Sequence, residues 1–559
     1  MKKNLLVLVF GLMICQTKIF AQCNQTTASD TLDINNINAL IMNGGDMWWN
    51  RANGTAHYRV PKSGNVSTLF AGAIWMGGYD AADNLHMAAQ TYRQNGNDYF
   101  SGPLDTAANV STSTCNKYNK IWKVYAADIS THISNTTHTT ANTPSSILEW
   151  PSIGNPYAKD AFGISLVVNQ TLAPFIDVNN DGIYNPLDGD YPDICGDEAL
   201  WYVINDKGNA HTESQGLPLG VEIQCMAYAF ASNDADISNT TFYKYYINNK
   251  SNYVYDSFHF GIWVDPDLGC YTNDYFGSDS ARQMLIVYNS TANDIPCPTG
   301  YGTTIPIQGI TLLNAKNNST NANYKMHGIY YYYNTTPSIM ADPNSCRGYY
   351  GALTGSWRDS THLTFGGSGH GGTIKTDFAF PDNPSLSGTN PNTGLPYWSM
   401  CNPTVSPGDM RSLISIGPMK IVPNDIVELN FAAITHWGDV YPCPSFAGIG
   451  AAHDSVLSFF NTLNCGRYSS HSLGINSVST TASFSVFPNP TNSKVYINNP
   501  MHEDFVIHIF DVTGKELQHK NCSQSINELD LADYSSGIYF YSIENKSNTI
   551  LQRGKLVKQ

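Results

Sequence analysis

Charged residues are scarce in this 559-residue chain, at 13% of the total, and basic residues are the scarcer kind. Its 30 Lys and Arg are outnumbered by 45 Asp and Glu, which leaves a formal net charge of −15. A protein that binds nucleic acid needs a basic surface to neutralise phosphates, so this balance argues against a nucleic-acid partner. An acidic surface is better suited to divalent cations.

Long apolar runs are also missing, since nothing beyond the first residues is long enough to span a bilayer. At the start, two lysines precede a short apolar run, Leu5–Cys15, and the segment ends at the small residue Ala21. This order predicts a cleavable signal peptide over residues 1–21 and a mature protein without a transmembrane segment. The alternative is a lipoprotein signal with Cys23 lipidated, although a large polar residue precedes that cysteine.

No CxxC pair occurs among the 12 cysteines, which argues against a zinc or redox motif. Cys15 belongs to the signal peptide, and Cys522 lies in the C-terminal domain. An even number in an oxidising compartment predicts that the other ten are paired in disulfides, with the pairing left open. These ten are Cys23, Cys115, Cys195, Cys225, Cys270, Cys297, Cys346, Cys401, Cys443 and Cys465.

Aromatic residues are abundant, with 34 Tyr and 10 Trp, and they favour pleated sheets. We predict a mainly β protein with one or two antiparallel β-sandwich domains, followed by a small Ig-like β-sandwich. A boundary near residue 170 would separate an N-terminal β-rich region (22–170) from a body with acidic loops (171–467), and Ala451–Leu463 is the one plausible helix. The predicted strands are Leu69–Met76, Ala161–Val168, Val221–Phe230, Thr241–Ile247, Phe258–Val264, Met284–Tyr288, Gly328–Tyr333, Met410–Ile416 and Ile426–Ile434.

The composition changes after Cys465. Residues 468–483 are rich in Ser, Thr and Asn, which predicts a linker. Short alternating strands then recur to the end of the chain and predict a separate small β-sandwich over residues 484–559. Its distinctive residues are Pro488, Asn489, Pro490, Asp511, Gly514, Gly537, Tyr539 and Lys555.

Those motifs resemble the type A sorting domain of the Bacteroidota type IX secretion system over the whole segment from Phe484 to Gln559. The resemblance implies recognition by the secretion machinery at the outer membrane and removal of the domain by a sorting protease. The cargo would then be extracellular or attached to the cell surface. The rest of the chain, through segments such as Trp263–Gly269 and Phe365–Gly371, is similar to a widespread group of secreted Bacteroidota proteins with no established activity.

An oxygen-rich loop at residues 177–188 is the sharpest chemical signal. Oxygen-bearing side chains occupy loop positions 1, 3, 5, 9 and 12, and a glycine at position 6 permits a sharp turn. We predict a structural calcium site with the ligands Asp177, Asn179, Asp181, Ile183 through its carbonyl, Asn185 and Asp188. An Asx-turn loop that uses the same side chains without metal is the alternative.

A second acidic cluster follows the predicted strand Phe258–Val264. Carboxylates at this density repel one another unless a cation or backbone amides neutralise them. They suggest a second metal site, and a solvated turn is the alternative. The residues concerned are Asp265, Asp267, Asp274 and Asp279.

Catalytic motifs are absent from the sequence, which contains no HExxH, while Gly367–Gly371 only imitates the GxSxG of serine hydrolases. Glycosidases use two carboxylates, and the first pair to test is Glu213 with His211, although a plain polar loop explains both. The tryptophans could stack on sugars, but core packing accounts for them first.

These observations favour a calcium-stabilised, non-catalytic binding or adhesion protein that recognises a glycan or a cell-surface ligand. The alternative is a secreted hydrolase that acts on polysaccharide or protein.

Overall fold

A computed structural model of the chain describes residues 23–93, 96–295, 297, 299–334, 338–402, 406–466, 484–499, 504–512, 515–545 and 550–559. The predicted signal peptide and linker lie outside these residues. The chain divides into two compact units, Met1–Ser469 and Ser470–Gln559. Both are mainly antiparallel β structure, as predicted. Within the described residues, no helix combines the length and apolar character that crossing a membrane requires.

The first unit begins with short strands and then builds long ones. Its strands are β1 (Ser29–Leu32), β2 (Asn38–Met42), β3 (Asp46–Met47), β4 (Trp49–Asn50), β5 (Thr55–Ala56), β6 (Tyr58–Arg59), β7 (Ser67–Leu69), β8 (Ala71–Tyr79), β9 (Leu85–Ala88), β10 (Phe100–Ser101), β11 (Trp122–Tyr125), β12 (Phe175–Ile176), β13 (Tyr191–Pro192), β14 (Glu198–Asn205), β15 (Val221–Ala229), β16 (Thr240–Asn249), β17 (Tyr255–Asp265), β18 (Asp274–Asp279), β19 (Met284–Asn289), β20 (Ile307–Asn317), β21 (Met326–Tyr333), β22 (Met410–Ile421) and β23 (Ile426–His436). The helices are α1 (Thr112–Lys117), α2 (Ala126–Ser134), α3 (Ser145–Leu148), α4 (Ala235–Ser238), α5 (Cys346–Leu353) and α6 (Ala447–Phe460), with a 3-10 turn at Pro186–Asp188.

Two large sheets form a sandwich in this unit. The first sheet has the order β21-β22-β17-β8-β3-β2-β6-β7, and the second has the order β10-β14-β15-β16-β23-β20-β19-β18. Their inner faces meet where Trp48 Nε1 donates to Tyr243 Oη at 2.7 Å and the rings of Tyr245 and Phe260 lie 5.9 Å apart. The strands β15 and β16 are buried along their whole length, and α6 packs against β20 and β23 of the same sheet.

The predicted boundary near residue 170 does not separate two compact units. β8 pairs with β17, and β10 and β11 pair with β14, so residues from both sides of position 170 share both sheets. Such pairing is long-range, and a strand pattern does not reveal it. The predicted strand Ala161–Val168 is also wrong, because the Asp160 carboxylate accepts the amides of Phe162 and Ile164 at 2.9 Å and turns the chain there.

Four disulfides join eight of the predicted cysteines within the described residues: Cys23–Cys115, Cys195–Cys465, Cys270–Cys297 and Cys401–Cys443. The expectation that all ten body cysteines pair is therefore wrong. Cys225 is a buried thiol in β15, and Cys346 opens α5, so each sits in a different element. The bond from Cys23 to Cys115 leaves no thiol at position 23 for a lipid, which excludes the lipoprotein alternative in this structure.

The second unit is the small sandwich predicted for the C terminus. Its strands are β24 (Ser485–Phe487), β25 (Lys494–Asn498), β26 (Phe505–Phe510), β27 (Glu516–Cys522), β28 (Ile526–Asp530), β29 (Gly537–Asn545) and β30 (Ile550–Lys558). One sheet has the order β24-β25-β28 and the other β27-β26-β29-β30, and the unit has its own core around Ile507 and Leu529. In β27 and β28, half of the side chains are polar and exposed, so these two strands have weak sequence signals.

Candidate functional site: an acidic pocket with aromatic walls

A cavity of about 490 Å³ opens in the first unit where β17, β21 and β22 meet the loops around them. Register places its residues, since Tyr332 of β21 pairs with Arg411 of β22, and β22 pairs with the end of β17 at Val264. Six aromatic rings and five carboxylates line the cavity. They are Trp49, Phe70, Tyr92, Tyr271, Tyr332 and Tyr349, with Glu213, Asp265, Asp267, Asp342 and Asp409.

The aromatic wall is built around Tyr92. Its ring meets those of Trp49 and Phe70 edge to face, with centroids 5.5 and 6.0 Å apart. The guanidinium of Arg411 lies 5.8 Å from the centre of the same ring. Edge-to-face contacts of this kind hold aromatic rings in fixed orientations, so the wall is shaped before any ligand arrives.

Three carboxylates converge on the pocket floor. One oxygen from each of Asp265, Asp267 and Asp409 lies within 4.8 Å of the other two. Arg411 donates to Asp409 Oδ1, and it reaches Asp265 Oδ2 at 3.3 Å, while the Tyr92 hydroxyl donates to that same Oδ2. The other oxygen, Asp265 Oδ1, is buried and has no hydrogen-bond partner among the described residues.

The floor carries too much negative charge for its surroundings. Burial, followed by the neighbouring charges of Asp265, Asp274 and Asp409, raises the pKa of Asp267 to about 9. Burial also raises the pKa of Asp265, although Arg411 and the Tyr92 hydrogen bond oppose this. A carboxylate group in this state needs either protons or a cation to be stable.

The pocket contains one member of the pair that the sequence singles out as a catalytic candidate. Glu213 is 6% exposed, and its Oε1 accepts from Thr91 Oγ1 at 2.8 Å and from Tyr349 Oη at 3.0 Å. Its Oε2 is buried without a partner among the described residues, and burial raises the pKa of this carboxyl.

His211 does not join Glu213 in the pocket lining. Its two ring nitrogens bond to the backbone oxygens of Met87 and Asp206, both at 2.7 Å. Burial acts to lower its pKa, yet the carboxylates of Asp98 and Asp206 raise it overall. His211 is therefore a structural residue that holds the loop before β15.

The second predicted metal cluster is brought together only in part. Asp265 and Asp267 lie on the floor, and the Leu268 amide donates to Asp274 at 3.0 Å, which shapes the turn that presents Asp267. Asp279 is at the other end of β18, where it pairs with Arg282 at 3.0 Å. The partner missed from the sequence is Asp409, which precedes β22 far along the chain.

The loop at 177–188 is an exposed chain of Asx turns. Asp177 accepts the amides of Asp181 and Gly182, and Asp181 Oδ1 accepts the Ile183 amide at 2.8 Å. Across the part of the chain described here, the carboxylates of Asp177, Asp181 and Asp188 do not gather within 4.8 Å of one another. Calcium at this loop stays a prediction. Further bonds within the loop run from the Asp181 amide to Asn179 Oδ1 and from Asn185 Nδ2 to Asp188 Oδ2.

Most tryptophans that the sequence offers as sugar platforms are core residues. Four of them, Trp48, Trp75, Trp150 and Trp398, are fully buried, which agrees with core packing as their role. Trp49 differs, because it is buried yet lines the pocket.

The C-terminal motif residues tie the two ends of the second unit together. Asn489 donates to the Lys555 carbonyl and accepts the Val557 amide at 2.9 Å, next to Pro488 and Pro490. The Lys515 amide donates to Asp511 at 3.1 Å in the turn after β26, and Gly537 opens β29. Tyr539 Oη donates to the Ser535 carbonyl at 2.8 Å, while the predicted motif residue Gly514 lies outside the described residues.

Residues 485–559 match the family described as "Secretion system C-terminal sorting domain". No curated protein matches the chain. Among solved structures, the beta-glucuronidase of Ruminococcus gnavus aligns with 8% identity and a TM-score of 0.13, over 52% of this chain and 44% of its own. That score is too low to support an argument about fold or activity.

Proposed function

We propose that this type IX secretion cargo, which its sorting domain directs across the outer membrane to the cell surface or the medium, is a non-catalytic binding or adhesion protein. The observation that carries the proposal is the preformed pocket, in which aromatic walls surround a carboxylate floor. Pockets that combine apolar faces with a few convergent polar groups are typical ligand sites. The sorting domain supplies the contact with the secretion machinery.

The chemistry of the pocket favours a polyhydroxylated ligand such as a glycan. Aromatic faces pack against the C–H face of a sugar ring, and carboxylates accept hydrogen bonds from its hydroxyls. Tyr271 is exposed at the rim and Trp49 lies within, so one ring can contact the ligand at the entrance and another inside. A cell-surface protein that carries such a glycan would be recognised in the same way.

Tyr271→Ala is expected to weaken ligand binding about fivefold, since one aromatic contact contributes on the order of 1 kcal/mol. Glycan and cell-surface-protein arrays probed with the full exported chain would identify the ligand, and titration of the hit would compare the variants. Phe162→Ala removes a more exposed aromatic ring that is not part of the pocket lining, and it serves as the control. Failure of every array with calcium present would count against the proposal.

A secreted hydrolase is the second candidate, and the buried Glu213 with its unpaired Oε2 is the observation that favours it. A carboxyl with a raised pKa is suited to general-acid catalysis, and other carboxylates share the pocket. If the protein is a hydrolase, Glu213→Gln abolishes turnover of the array hit. Binding of the ligand without any turnover by the unmutated chain would decide for the binding protein.

We further propose that calcium stabilises the loop at 177–188. A ligand that binds only the folded state raises stability by about 2.7 kcal/mol at a hundredfold excess over Kd. We therefore expect the melting temperature to rise with calcium, and the rise to shrink in Asp181→Ala. Asp105→Ala is the control, since Asp105 forms an exposed Asx turn elsewhere. An equal rise in both variants would leave the loop as a set of metal-free turns.

A further inference from the structure

We propose that the floor of the pocket is a divalent-cation site, suited to calcium, whose protein ligands are Asp265, Asp267 and Asp409. The inference deepens the proposed binding function by making the cation part of the surface that recognises the ligand. It can still be tested alone, because cation binding is measurable when no glycan is present. Of these three ligands, the sequence indicates two, and the fold supplies the third.

The spacing of the carboxylates fits one calcium ion. Calcium–oxygen bonds are about 2.3–2.6 Å long, so two ligands on opposite sides of an ion lie about 4.8 Å apart. The three oxygens of Asp265, Asp267 and Asp409 all lie within that distance of one another. Magnesium bonds are shorter, about 2.0–2.1 Å, and require near-ideal octahedral geometry. Calcium tolerates an irregular arrangement of its oxygen ligands, and it is therefore the cation to test at this floor.

The charges of the pocket call for a cation beyond Arg411. Five carboxylates and a single arginine line the described part of the cavity. Arg411 is committed to Asp409 Oδ1 and Asp265 Oδ2. Asp265 is only 3% exposed, and its Oδ1 meets no donor among the described residues. A metal ion would bind such a buried carboxylate oxygen, because no donor neutralises it.

A cation neutralises the carboxylates of the pocket floor more completely than protons do. A proton neutralises one carboxylate at a time and leaves the others charged. A calcium ion satisfies all three carboxylates at once.

The cation would leave coordination positions open toward the cavity. Calcium takes six to eight oxygen ligands, and three carboxylates supply only part of them. Trp49 and Tyr271 line the same cavity, so a ligand that fills the remaining positions can also contact an aromatic ring. Paired hydroxyls or a carboxylate of a saccharide can fill them while the sugar ring packs on the wall. The ligand class is therefore a polyhydroxylated or acidic saccharide held through calcium.

Equilibrium dialysis of the full exported chain against calcium tests the site directly. We expect Asp267→Asn and Asp409→Asn each to lose one equivalent of bound calcium, or to bind it at least tenfold more weakly. Asp279→Asn is the matched control, since it removes a carboxylate of β18 that pairs with Arg282 and lies outside the group. Asp181→Ala, in the other acidic loop, should leave this equivalent in place. Lowering the pH should weaken the binding, because protons compete for the same oxygens.

Terbium luminescence excited through tryptophan gives a second reading on the same variants, because Trp49 lines the pocket. Emission that calcium displaces in the unmutated chain, and that both floor variants lose, supports the site. Near-UV circular dichroism in chelator shows whether each variant is folded. Equal calcium binding by the unmutated chain and a folded Asp267→Asn/Asp409→Asn double variant would overturn the inference. Calcium binding without any array hit would instead contradict only the proposed recognition of a glycan or cell-surface ligand.

Discussion

Arg411→Met is expected to lower the free energy of unfolding of the first unit by about 3–5 kcal/mol in chelator, since it removes one partner of a buried ion pair. Methionine keeps much of the side-chain volume, but it leaves Asp265 and Asp409 without the guanidinium contact that Arg411 provides. Calcium is expected to recover part of the loss by replacing the missing positive charge. Denaturant unfolding of the exported chain, with chelator and with calcium, measures both effects.

The control for this result is Arg282→Met. Arg282 also pairs with two aspartates, Asp279 and Asp454, but it is more than one-third exposed. Exposed pairs contribute about 0–1 kcal/mol, so this variant should unfold almost like the unmutated chain. If the two variants lose equal stability, or if calcium restores nothing to Arg411→Met, the floor is not an unbalanced group of charges.

Replacing Cys195 and Cys465 with alanine is expected to cost about 3–5 kcal/mol of stability. The bond joins residues separated by 270 positions, and it ties the end of the first unit to the start of β14. A long closed loop restricts the unfolded chain most, so its loss destabilises the fold most. Thermal or denaturant unfolding of the double variant under oxidising conditions provides the measurement.

The matched comparison is removal of the Cys401–Cys443 bond, whose residues are 42 positions apart. In the chain-entropy account its loss should cost about 1–2 kcal/mol less than loss of the longer bond. A reversed order would mean that native packing around the bonds, and not loop length, sets their contribution. Both variants leave the pocket residues unchanged, so ligand binding should persist below the melting temperature.

Local patterns account for the long strands of the fold. The structure confirms the predicted cores of four long strands, β15, β16, β22 and β23. They could be predicted because each contains a run of apolar or aromatic residues that is long enough to outweigh its polar residues. The helix α6 begins and ends a few residues before its predicted bounds. Very short strands such as β3 and β4 could not be predicted, since two residues carry no periodicity.

The pocket shows where prediction from sequence stops. Asp265 and Asp267 were selected because they are close neighbours in the chain, and Glu213 because it is one of few glutamates. Asp409 carried no signal of its own, and Trp49 was one of several tryptophans that could stack on sugars. Trp49 lies in a two-residue strand and Asp409 directly precedes β22, and only strand pairing brings them to the same cavity. The same limit explains why Asp279, near in sequence, is absent from the cluster.

The sequence by itself determined the export route, because the sorting motifs are local turns and strands within one small unit that folds around its own core. It also determined the mainly β character, which follows from aromatic and β-branched runs. Only the tertiary structure decided which carboxylates share a floor and which rings form its walls. Antiparallel pairing of β17, β21 and β22 joins residues that are far apart in the chain. A local pattern in the sequence does not show which distant strands pair with each other.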